Sequence, residues 1–183
     1  MPGRPLRAES LSKTSIVDAA LRLASRRGLE QVRMREVAEE LNVAVGALYH
    51  HVPSQAAMQS AVIQQVLEGV PTPNEIGGTP RRRIVATMRA IQQTLDDHPG
   101  ISANVIAGAP ETERGGTIRR ELLAALRETG LGKAAAERAY LGFEWLWLGS
   151  RVAPGAHSYN RVAFEYVFTA MLDGLLPGTE RLR

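Results

Sequence analysis

The chain has 183 residues, 22 Lys or Arg against 19 Asp or Glu, and a formal net charge of +3. That is enough for a sizeable core, as one large or two small domains. The absence of cysteine excludes a disulfide framework and a thiolate metal site. No apolar run approaches the ~20 residues that span a bilayer, and the N-terminus MPGRPLRAES lacks the apolar core of a signal peptide. A cytoplasmic protein without membrane contact is expected.

The charge is unevenly spread. Residues 1–35 carry Arg4, Arg7, Lys13, Arg22, Arg26, Arg27, Arg33 and Arg35 against Glu9, Asp18 and Glu30, a surplus of five, whereas residues 36–70 carry four acids and no Arg or Lys. A positive field able to attract phosphate would come from the N-terminal arm (residues 1–14), the end of the first helix and the start of the second.

The first helix is expected from about Ser15 to Arg27, with Ile16, Ala20, Leu23 and Ala24 inward, Ser15 and Asp18 as a capping-box-like start, and Gly28 as its exit. The run Met34 to Val52, MREVAEELNVAVGALYHHV, reads as two short helices joined by a tight turn. Val37, Ala38 and Leu41 share one face, and Ala38 is small enough for close helix approach. Asn42 tolerates the left-handed backbone of a sharp exit. Val43 and Leu48 then point to the core, leaving Ala44, Val45, Gly46, Ala47, Tyr49 and His50 outward. His51 is expected to hold the corner. A fourth helix should start with Ser54 as N-cap and run to about Glu68.

Val70 to Pro80, VPTPNEIGGTP, has a density of proline and glycine that cannot continue a helix, and the domain boundary is placed there. Helices follow from near Pro80 to before His98 (with Ile84, Met88, Ile91 and Leu95 in register), from Ile101 to Ala107, and from Thr117 to Glu128. Two more, about Lys133 to Val152 and Ser158 to Leu176, are separated by Pro154-Gly155. They hold eight of the nine aromatic residues, with bulky apolar groups on more than one face, which points to a partner helix pair as cover.

The two-helix layout is that of a helix-turn-helix DNA reader. Thr14 to Val62, through SIVDAALRLASRRG, MREVAEELNV and VGALYHHVPSQAAMQSAV, resembles the DNA-binding domain of the tetracycline-repressor (TetR) family. The resemblance implies an all-α chain of about nine helices. Its helix-turn-helix domain would occupy residues 15–70, with the motif itself at about 33–52, and a ligand-binding and dimerisation domain residues 80–183. It also implies a homodimer on double-stranded, pseudo-palindromic operator DNA, repression of nearby genes, and release by a small-molecule effector.

Expected DNA-contacting residues are Lys13, Arg33, Arg35, Ala44, Val45, Gly46, Ala47, Tyr49, His50, Ser54 and Gln55. The small side chains of residues 44–47 suit close approach to thymine methyls. Two positions depart from the family pattern: Gln55 stands where lysine is usual, and Arg33 where threonine is common at the start of the second helix. Effector-contacting candidates are Met88, Ile91, Leu95, Val105, Leu122, Leu126, Phe143, Trp147 and Met171, whose apolar character points to a hydrophobic or aromatic small molecule. No cofactor, metal or catalytic residue is expected. His50-His51 with Glu39 and Glu40 lack metal-ligand spacing, and there is no nucleophile elbow or phosphate-cradling glycine loop. A ligand-independent DNA-binding protein is the alternative, a helical enzyme the remote one.

Overall fold

The computed structural model describes the backbone of residues 11–108, 111–152 and 157–175, and their side chains apart from residues 151, 152 and 157–161. Among them the regular elements are all helical: α1 (Lys13–Arg27), a 3-10 turn (Leu29–Gln31), α2 (Met34–Glu40), α3 (Val45–Tyr49), α4 (Gln55–Glu68), α5 (Pro80–Asp97), α6 (Ser102–Gly108), α7 (Glu113–Glu128), α8 (Lys133–Val152) and α9 (His157–Leu175). Residues 1–10 of the expected basic arm, and the Pro154-Gly155 turn, lie outside the described residues.

The first helix starts earlier than its sequence pattern indicates. Ser12 is the N-cap: its Oγ accepts the Ser15 N–H at 3.1 Å, and Ser15 Oγ accepts the Ser12 N–H at 3.0 Å. Ser15 is thus the third helical residue, not the cap. Asp18 plays no capping part; its Oδ1 accepts from Gln65 Nε2 at 2.7 Å, tying α1 to α4. Ile16, Val17, Ala19, Ala20 and Ala24 are buried, and the alanines let neighbouring helices come close. Gly28 ends α1 at φ 90°.

α7 also starts earlier, at Glu113 rather than Thr117. Thr112 Oγ accepts the Gly115 N–H at 3.1 Å and caps the helix, so Gly115-Gly116, which reads as a break, lies inside it. Thr79 caps α5 with Pro80 in its first turn, where a proline's missing N–H costs nothing. Phe143 meets Phe168 edge-on at 5.7 Å, and Phe168 stacks on Phe164 at 5.6 Å, joining α8 to α9. Buried Arg81 bonds Asp173 and the Leu172 carbonyl, fastening α5 to the end of α9.

One continuous apolar core runs from Ile16 to Leu172. The proline-rich segment is bonded to the helices beside it. Arg114 donates to both Glu75 carboxylate oxygens (3.1 and 2.8 Å) and to the Val70 carbonyl (2.6 Å), while its own N–H bonds Gln64 Oε1 at 2.9 Å. Gly100, between α5 and α6, is pressed on the end of α1: a Cβ there would sit 2.8 Å from the Ala24 carbonyl oxygen.

The Arg114 guanidinium and then the Thr72 N–H hold the Glu75 carboxyl at about 2 rather than 4.5. A carboxylate lowered on folding adds stability that is complete above its unfolded pKa and is lost as pH falls through its folded one. Denaturant titrations should therefore show the wild type's advantage over Glu75→Gln constant above about pH 4.5 and shrinking toward pH 2, smaller throughout at high salt. A difference independent of pH would contradict this.

Candidate DNA-reading head and ligand cavity

The reading head is built on a short turn. Asn42 takes φ 54°, the one positive φ of a non-glycine among the described residues, and Val43 N–H returns to the Ala38 carbonyl at 3.0 Å. That turn aims α3 away from α2. Leu48 is fully buried and anchors α3, with Val43 packed against the same core. Ala44, Val45, Gly46, Tyr49 and His50 are exposed, and Ala47 is half-buried. His51 is exposed; buried Val52 fills the corner instead, its N–H on the Leu48 carbonyl at 2.8 Å. Around Gly46 a Cβ would meet nothing within 4 Å. Packing within the chain therefore gives no reason for a residue that costs about 1 kcal/mol relative to alanine inside a helix.

The start of α2 has an unusual cap. Arg33 is the N-cap, and a guanidinium has no acceptor to offer the helix amides. Glu36 Oε2 takes the Arg33 N–H at 2.8 Å. The Met34 N–H is taken by Gln55 Oε1, from the first turn of α4, at 3.2 Å, while Gln55 Nε2 donates to the Val32 carbonyl. Half-buried Gln55 thus uses both polar ends within the head. Ser54 caps α4, its Oγ accepting the Ala57 N–H at 3.0 Å.

Several expected phosphate-seeking cations are paired inside the head. Arg22 bonds Glu40 at 3.3 Å and Arg27 bonds Glu36 at 2.8 Å, bracing α1 against α2. Arg33 donates to the Glu30 carbonyl. Arg35 stands out from α2, its side chain 86% exposed beside Glu39 at 3.7 Å, a pair of a kind that contributes only ~0.3–0.5 kcal/mol. Lys13 and Arg26 are exposed.

Residues 16–62, from α1 into α4, match the family described as bacterial regulatory proteins, tetR family. Over these residues the chain carries a DNA-binding domain of the tetR family type. It is 32% identical over 125 residues to a helix-turn-helix-type transcriptional regulator of Saccharopolyspora erythraea, covering 68% of this chain and 52% of that protein. The chain spans about half the length of the curated relatives it matches. Two solved structures share the fold. BioQ with its natural double-stranded DNA operator superposes with a TM-score of 0.72 at 24% identity, over 91% of this chain and 99% of that one. The TetR family protein ActR of Streptomyces coelicolor in complex with (S)-DNPA gives 0.72 at 20% identity, over 93% and 99%.

Behind the head the chain has a small, partly open cavity of about 40 Å3. Of the nine residues expected to contact an effector, Ile91, Leu95, Val105 and Trp147 are on its wall. Met88, Leu122, Leu126 and Phe143 are core, and half-buried Met171 abuts Gly142. Leu67, Ile106, Gly115, Ile118, Tyr140 and Glu144, which no sequence pattern marks as lining, complete the wall. Burial, and secondarily Glu144, pushes the Tyr140 phenol well above its usual range, so it stays protonated and bonds the Glu144 carboxylate. Trp147 Nε1 is buried without a hydrogen-bond partner among the described residues.

Gln55 acts as a substitute cap, so Gln55→Ala should lower stability by about 1 kcal/mol, or about 2–4 °C in thermal melting for a chain of this size. Arg33→Thr in the Gln55→Ala background should recover most of that, because a hydroxyl at the N-cap accepts what the arginine cannot. Additive losses in the double variant would remove the capping role.

Proposed function

We propose that this chain is a homodimeric, sequence-specific DNA-binding transcriptional regulator, a repressor that a small ligand releases from its operator in the cytoplasm. The observation that carries the reading is α3: an exposed, uncharged helix with open space around Gly46, held out on a buried leucine. Small side chains at 44–47 admit close approach to base edges, and Tyr49, His50, Arg35 and Lys13 lie on the exposed surface to meet the backbone. The solved complex of BioQ with its operator supports this use of the fold.

Residues 15–70 would be the reading head and 80–183 the ligand-binding and dimerisation half. The dimer reading rests on α8 and α9, where Trp145, Val162 and Tyr166 are 71, 72 and 77% exposed and Leu141 and Val167 about half so. They flank a hollow lined by Leu146, Gly149, Ala163 and Phe164. So much contiguous apolar surface asks for a partner, and a second copy of the same helix pair would cover it by twofold symmetry. Two heads would then meet half-sites about one DNA turn, ~34 Å, apart.

Ligand and DNA would oppose one another through α4. Leu67 near its end is cavity wall, and Gly108 of α6 is so close to Ile63 that a Cβ would lie 2.7 Å from its Cδ1. A molecule that widens the cavity displaces α4 or α6 and with them the head. ActR, solved with (S)-DNPA, supports a ligand-responsive reading.

Light scattering should give twice the 19.9 kDa chain mass at micromolar concentration. Arg35→Ala should weaken binding to the chain's own upstream DNA with thermal stability nearly unchanged. The slope of log affinity against log salt should become shallower by up to about 1.8, from roughly 0.9 per neutralised phosphate and two subunits. A monomer, or an unchanged slope, would contradict the respective part of the reading.

A further inference from the structure

The cavity wall has a single charged side chain. Tyr140, Glu144 and Trp147 follow one another at four and three residues along α8, so they share one face of the helix, and all three line the cavity. The rest of the wall is apolar apart from Gly115. Among the described residues Glu144 has no ion pair within 4.0 Å. The nearby Arg119 guanidinium lies instead over the Tyr140 ring, 5.5 Å from its centroid.

This wall selects among ligand chemistries. A wholly apolar molecule would strip water from the carboxylate and leave it only the Tyr140 hydroxyl, with its charge unpaired, which is unfavourable. An anion would be repelled. An alcohol would restore one hydrogen bond to the carboxylate but leave its charge unpaired. A protonated amine restores that bond and also supplies the opposite charge that Glu144 lacks.

We propose that the cavity takes an organic cation: an apolar body carrying a protonated amine that bonds Glu144 between Tyr140 and Trp147. This rests on the cavity being the effector site of the preceding subsection, and it replaces the uncharged hydrophobic effector expected from sequence.

The test uses three congeners of one shape, phenylbutylamine, phenylbutanol and phenylbutyrate, titrated calorimetrically into the full-length protein, with tryptophan emission as a second readout of occupancy. The amine should bind about tenfold or more tighter than the alcohol, and the acid weakest. Glu144→Gln should remove the amine's advantage while leaving phenylbutanol within about threefold of its wild-type affinity, which also shows that the variant's cavity is intact. The proposal is overturned if the alcohol or the acid binds the wild type as tightly as the amine, if the amine keeps its advantage in Glu144→Gln, or if none binds at millimolar concentration. DNA affinity is measured separately. A Glu144-dependent amine that leaves DNA binding unchanged would uphold the ligand class and sink the regulatory reading.

Discussion

The Met34 N–H opens α2, where no carbonyl of its own helix can reach it, and its N-cap residue is an arginine with no acceptor. Gln55 Oε1 answers it from the first residue of α4. On this bond rests the geometry of the reading head, because α2 carries the Asn42 turn, and the turn sets where α3 points. The far end of α4 supplies Leu67 to the cavity wall. A helix of 14 residues, ~20 Å long at 1.5 Å per residue, therefore has one end against α2 and the other at the cavity wall.

Other contacts limit how the two halves can move. Gly100 sits against the end of α1 with no room for a side chain, and Asn104 of α6 donates to Glu30 of the 3-10 turn at 3.3 Å. Arg114 joins α7, α4 and the Val70–Pro80 segment at one guanidinium and one amide. These bonds lie around the cavity rather than on α3. In the proposed mechanism a change in cavity volume would act on the base of the head and leave the shape of α3 unaltered.

Much of this was legible in the sequence wherever local chemistry decides. Three- and four-residue spacing located the α-helices found among the described residues, Asn42 marked the left-handed turn, and Ser54 marked the start of α4. Local rules failed where two local signals competed. Ser12 and Ser15 each qualify as a cap, and reciprocal bonding put Ser12 in that place. Gly115-Gly116 reads as a break, but the Thr112 cap overrides it. Long-range bonds were not legible at all. Gln55 reads as a lost phosphate contact because its partner lies 21 residues away. Nothing local in the sequence singles out Glu144, and only the packing of α4, α5, α6 and α7 around that face of α8 makes it the charge in a cavity.

The central claim is that α4 transmits between cavity and reading head, and amide hydrogen exchange at Met34 tests it most directly. Leu67→Ala loosens the cavity end of α4 without altering a residue of α2 or α3. If α4 carries the coupling, Met34 exchange should accelerate in this variant by more than that of Leu41 and Val43, whose N–H groups bond Val37 and Ala38 within the α2 turn region. Met34 exchange that is unchanged, or that rises only in step with Leu41 and Val43, would contradict the account.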